Sequence, residues 1–124
     1  MTVRELLFAA LMLASASAAA GPAAPPSRFA IVLGSNRAES AATAPLRFAD
    51  DDALAMHQLL REAGVQSVLL TAFDQETARQ HPDQRPDGPP TLEALREAFD
   101  RQSVQMRAAA EGGLERGAAR REQA

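Results

Sequence analysis

Two short, predominantly apolar runs constrain this chain more than anything else in it: FAIVL at 29–33, closed by Gly34, and VLLTAF at 68–73. A run with no polar face suits a strand buried on both sides, which is the signature of a parallel sheet rather than of a half-solvated antiparallel one. Parallel neighbours cannot be joined by a hairpin, so the connection must cross over, usually as a helix. Between the runs, Ala53, Met56, Leu59, Leu60 and Ala63 recur at helical spacing, and Gly64 stands where a helix would stop. The pattern therefore predicts a right-handed β-α-β unit. A further helix is predicted from Thr91, a suitable N-cap, with Leu92, Leu95, Phe99 and Met106 as its apolar stripe. The segment QETARQHPDQRPDGPP between them is polar and rich in Pro, and is expected to be a loop outside the core. The fold class that follows is α/β, a β-α-β-α arrangement with parallel strands.

The chain has 124 residues and no cysteine, which limits it to one small domain and removes disulfides, thiolate ligands and thiol nucleophiles together. Its net charge is −3, giving no basic footprint for nucleic acid and no basic helix for a membrane surface. Residues 1–20 read as a secretory leader. A short charged start precedes an apolar run too short to span a bilayer comfortably, and Ala16-Ser17-Ala18 and Ala18-Ala19-Ala20 both fit the small-x-small cleavage pattern. Export follows, with an uncleaved anchor as the alternative. Residues 21–27 are a linker, 28–108 the ordered part, and 109–124, with almost nothing to bury, an expected disordered tail.

Three consecutive aspartates, Asp50, Asp51 and Asp52, precede the first helical stripe. Neighbours on a helix do not face one another, so three in a row do not converge on a cation, whereas the positive end of the helix dipole accounts for all of them. No metal site is assigned. Gly34-Ser35-Asn36-Arg37 directly after the first strand has the composition of a turn. Its loop amides would also suit an anion at the end of a parallel strand. It resembles the GSxR loop with which flavodoxin-like FMN reductases hold the flavin phosphate, which would give Gly34, Ser35 and Arg37 that role. The turn is the favoured reading, and no cofactor is assigned. His57 is expected on the polar face of the first helix and His81 in the Pro-rich loop, both solvated, so no catalytic residue is named.

Taken in order, RFAIVLGSN, APLRFADDDALAMHQLLREAGV, SVLLTAFD and PTLEALREAFDRQ resemble the opening of the caspase family, particularly its exported bacterial members. Ile31 to Asn36, Leu46, Ala49, Asp52, Ala53, Met56, Leu59, Leu60, Gly64 and Val65 match that family's pattern, and the resemblance spans residues 28–102. It implies a three-layer α/β/α sandwich and a cysteine endopeptidase. Some members place an Arg of the primary specificity pocket near the first helix, which makes Arg47 a candidate for binding an acidic side chain. The family's His follows a third core strand in a Ser-Gly-His-Gly segment and its Cys follows a fourth. Neither is present here, since residues 108–124 read AAAEGGLERGAARREQA where the third strand is expected. The resemblance thus implies the front of such a domain, inactive alone, whose partner is another caspase-like chain or the missing remainder. A regulatory module without catalysis is the other reading it allows.

Overall fold

The computed structural model describes residues 26–38 and 40–123; the expected leader and most of the linker lie outside them. Among the described residues five elements follow in order: β1 (Phe29–Leu33), α1 (Ala49–Glu62), β2 (Gln66–Leu70), α2 (Gln75–Gln80) and α3 (Leu92–Glu122). The chain is mixed α/β, with β1 and β2 paired in parallel from Phe29↔Gln66 to Leu33↔Leu70. β2 starts two residues before the expected run because the ladder begins immediately after the helix stop, with Gln66 N–H donating to Arg28 O at 2.9 Å.

That stop is built on Gly64, whose φ of 78° lies in the left-handed region open to glycine. Gly64 N–H donates to Arg61 O and Val65 N–H to Leu60 O, the paired bonds that satisfy the last carbonyls of a helix. At the other end of α1 the N-cap position is Phe48, which has no side-chain acceptor to offer. Asn36 supplies one from the loop after β1: its Oδ1 accepts from Ala49 N–H at 2.8 Å.

The buried face of α1 is Asp50, Ala53, Leu54 and His57. This corrects the expected stripe, since Met56 is 49 % and Leu59 60 % exposed. It also corrects the solvated assignment of His57, which is only 6 % exposed. Ala53, Leu54 and Leu69 form the core, with Val32 and Phe73 packed against them. Strand side chains alternate, so Val32 and Leu69 put α1 on one face, while Phe29 shares a groove with Met106 and Ala109 of α3 on the other. On that face Ala98 and Gln102 are buried, and Gln102 Nε2 donates to Ala30 O at 2.8 Å and to Gln66 O at 3.3 Å.

The Pro-rich segment is less irregular than its composition suggests. It opens with α2, capped by Asp74 Oδ1 on Thr77 N–H at 2.8 Å, and it closes by lying along β2. There Asp87 N–H donates to Leu69 O, Thr71 N–H to Gly88 O, and Leu69 N–H to Asp87 Oδ2. Thr91 caps α3 as expected, its Oγ1 accepting from Ala94 N–H. The helix then continues to Glu122, through the stretch expected as a tail, with most of its second half exposed. Among the described residues no helix is long and apolar enough to cross a membrane.

Candidate functional site

The strands end at a corner where three segments must meet: the loop after β1, the start of α1 and the turn after β2. Gly34 makes the meeting possible, because a Cβ there would run into Ala49 O and would lie 2.7 Å from Ala53 Cβ. Close approach puts Asp50 inside, with 0 % exposure. Its Oδ1 accepts from Asn36 Nδ2 at 2.6 Å and its Oδ2 from Asp74 N–H at 2.9 Å. Burial alone would push the Asp50 carboxyl up, but the donors from Asp74, Asn36, Thr77 and Asp51 outweigh it and hold its pKa below the ordinary carboxylate value. One ionised carboxylate thus ties both strand ends to the helix.

The other two aspartates point elsewhere. Asp51 Oδ1 accepts from the Thr77 hydroxyl at 3.1 Å, and Asp52 is exposed. The triplet divides into one buried tie, one link to α2 and one surface charge, all three in the first turn of α1 where the dipole favours them.

The Gly34–Arg37 loop folds as a turn onto its own polar groups. Ser35 Oγ accepts from Arg37 N–H at 3.3 Å, and Leu46 N–H donates to Asn36 O at 3.1 Å. The first amide of α1, which a phosphate would use, is held by Asn36 Oδ1 beside the Asp50 carboxylate. Arg47 is exposed, its guanidinium 5.6 Å from the Phe48 ring centroid, at a shallow groove that also contains Asp51, Asp74 and Glu76. One positive charge there faces three carboxylates.

A second cluster lies at the outer side of β2. His57 Nδ1 and Ser67 Oγ are 2.8 Å apart, and Asp87 and Arg61 share their groove. Burial lowers the His57 pKa and Arg61 lowers it further, with Asp87 opposing, so the imidazole is neutral at pH 7. Asp87 directs Oδ2 to Leu69 N–H, which makes it a cover for the strand edge. Sequence reading missed this hydroxyl–imidazole pair because it placed His57 on the polar face. The available signal was the spacing of Asp50, Ala53, Leu54 and His57, which also follows i, i+3, i+4, i+7 but has polar residues at both ends.

No family model, curated protein or solved structure matches the chain.

Proposed function

We propose that this chain forms the N-terminal β-α-β-α portion of an exported caspase-like cysteine endopeptidase domain, and that it does not hydrolyse peptides by itself. The observation that carries the reading is how the apolar residues are distributed about β1. The β2 side of the sheet is lined by His57 and Arg61 of α1 and by Arg101 and Gln105 of α3. The opposite flanks of the same helices carry Met56 on α1 and Phe99 and Met106 on α3, all exposed, on the side where β1 has no neighbour among the described residues. Such a strand, overhung by apolar side chains on both faces, is built as an interior strand of a wider parallel sheet. A three-layer α/β/α sandwich with further strands beside β1 supplies that cover. The partner implied is another caspase-like chain or the remaining strands of the same domain.

The chemistry supports the inactive half of the proposal. Peptide hydrolysis of this class needs a thiolate to attack the carbonyl and an imidazole to carry the proton to the leaving amine. The chain has no Cys, and its two histidines are His57, bonded to Ser67, and His81, at the end of α2. In this reading the family's His and Cys come with strands added beside β1, and Arg47 contributes to substrate recognition at the corner of the sheet. The test is an assay of the purified chain on fluorogenic peptides carrying Arg or Asp at the scissile position. The expected result is no turnover above the blank. Hydrolysis that survives repurification and stays proportional to the chain's concentration would overturn the proposal.

A further inference from the structure

The cover on the outer side of β2 stops one step short of the start of the strand. Gln66 N–H donates to Arg28 O and Gly34 N–H to Leu70 O, so Gln66, Val68 and Leu70 turn their main chain toward β1. Ser67, Leu69 and Thr71 turn theirs outward. Asp87 takes both main-chain groups of Leu69, and Gly88 O accepts from Thr71 N–H. Ser67 N–H and C=O have no partner among the described residues, and a groove with Asp87 in its wall opens beside them.

We propose that this groove binds an extended peptide segment carrying two adjacent acidic residues. The peptide residue opposite Ser67 accepts from Ser67 N–H and donates to Ser67 O, the paired exchange of an antiparallel neighbour. On one side of Ser67 the next outward residue, Leu69, is already held by Asp87, and on the other Val65 N–H is bonded to Leu60 O. Ser67 is therefore the single pairing position, which fixes the register.

The charges beside Ser67 select the sequence of the occupant. Ser67 points to the α1 face, where its Oγ meets His57, and Arg61 lies one helical turn beyond His57 in the same groove. Val68 points to the other face, where Ala98, Arg101 and Gln105 of α3 line the continuation of the groove. One exposed arginine thus flanks the strand on each face, and neither has an acidic partner among the described residues. A residue opposite Ser67 puts its side chain on the α1 face, toward Arg61, and the next residue puts its own on the α3 face, toward Arg101. Two consecutive Glu or Asp residues satisfy both guanidinium groups, whose planar donors suit a carboxylate.

The remaining groups of the groove leave this choice standing. The Asp87 carboxylate directs Oδ2 to Leu69 N–H, and His57 is neutral at pH 7 and bonded to Ser67. Gln102 is engaged with Ala30 O and Gln66 O, so Gln105 is the neutral donor beside the peptide. The chain as a whole has a net charge of −3, yet here two arginines stand against one carboxylate, so the positive character is local to this edge. The groove lies on the opposite edge from the one at which the proposed function adds strands, and neither reading requires the other.

Fluorescence anisotropy tests this, with the full chain titrated at low ionic strength into a labelled, end-blocked short peptide that carries two adjacent glutamates between Thr and Val residues. Circular dichroism confirms that each variant keeps its helices. Saturable binding that weakens as salt is added is expected, with none to the same peptide carrying two lysines. Arg61→Glu and Arg101→Glu should each lower the affinity about tenfold, and the double variant should bind the lysine peptide in place of the glutamate one. Ser67→Ala removes only the hydroxyl and should retain binding. Ser67→Pro removes the outward N–H, a loss that an edge position tolerates, and should abolish binding. A wild-type chain that does not bind the glutamate peptide overturns the proposal, as does binding indifferent to both arginine reversals and to Ser67→Pro. Neither outcome bears on peptide hydrolysis, which the cleavage assay judges separately.

Discussion

The two edges of this sheet are finished in opposite ways. Along β2, Asp87 and Gly88 take up the outward-facing main chain of Leu69 and Thr71, while His57 and Ser67 bond beside them. Along the outer side of β1 nothing among the described residues pairs, and the helix flanks above and below it carry apolar side chains: Met56 on one face, Phe99 and Met106 on the other. Polar residues close an edge that is meant to meet water, and apolar ones prepare an edge for cover. The contrast explains why so little of the described chain is core: among the described residues Ala53, Leu54, Leu69, Leu70 and Ala98 are the buried hydrophobics, and all of them lie under or between elements that are present.

Both edges depend on the corner where Asp50 ties the strand ends together, so removing it has the largest expected effect. Asp50→Ala leaves the Asn36 amide and the Asp74 N–H buried without an acceptor. The expected loss is about 2–5 kcal/mol, measured by urea denaturation. Asp52→Ala is the control, since it removes only an exposed first-turn charge and should lose under about 1 kcal/mol. The sign with pH follows from linkage. The Asp50 pKa lies below its unfolded value of about 3.9, so its stabilisation is fully present above that pH and is lost as pH falls through the folded value. Wild type should lose stability on acidification below about pH 4 by a component that Asp50→Ala lacks. Equal stability of Asp50→Ala and wild type would show that the corner is not held by this carboxylate.

The parallel β-α-β core was legible because its signals are local and agree with one another. FAIVL has no polar face, Gly64 supplies the positive φ of the helix stop, and Thr91 caps α3 as its side chain allows. The burial pattern of α1 was not legible, for a physical reason. Periodicity reports which residues are suited to burial, and the Met56–Leu59–Leu60 stripe is so suited. Which face is buried depends on what stands beside the helix, and here Ser67 and the Asp50 corner hold the neighbouring face inward. The cover given to β2 by Asp87 and Gly88 was equally hidden, because main-chain pairing leaves no trace in a Pro-rich composition. Asn36 was singled out as part of a turn and of the family pattern, and its service as a cap for α1 across the intervening loop depends on tertiary geometry alone.

The closed edge carries its own pH dependence, of intermediate size. His57 is neutral against Ser67, with its pKa lowered by burial and by Arg61 and opposed by Asp87. The unfolded chain takes up a proton at about pH 6.5, while the folded chain resists it until lower pH. Stability is therefore fully present above about 6.5 and declines as pH falls from there toward the folded pKa. Denaturation midpoints on either side of that value should differ for wild type, and the difference should shrink in His57→Gln. An unchanged slope in the variant would assign the pH dependence to another group and remove His57 from the edge's account.

The smallest expected effect is the sharpest test of the contrast itself. Met56 belongs to the stripe that periodicity assigns to the core, yet it is 49 % exposed on the flank above the free edge of β1. If that edge is open, Met56→Ser removes little packing, and at concentrations too low for association the stability should stay within about 0.5 kcal/mol of wild type. A buried methionine would behave otherwise, since truncation then loses transfer free energy and leaves a cavity, typically about 2–5 kcal/mol. Where the proposed further strands cover the edge, the same substitution should weaken their association instead, because the lost contact then lies between helices of the two parts. A variant silent in the isolated chain and costly in the covered one is the behaviour of a side chain whose burial depends on a neighbour outside the fold.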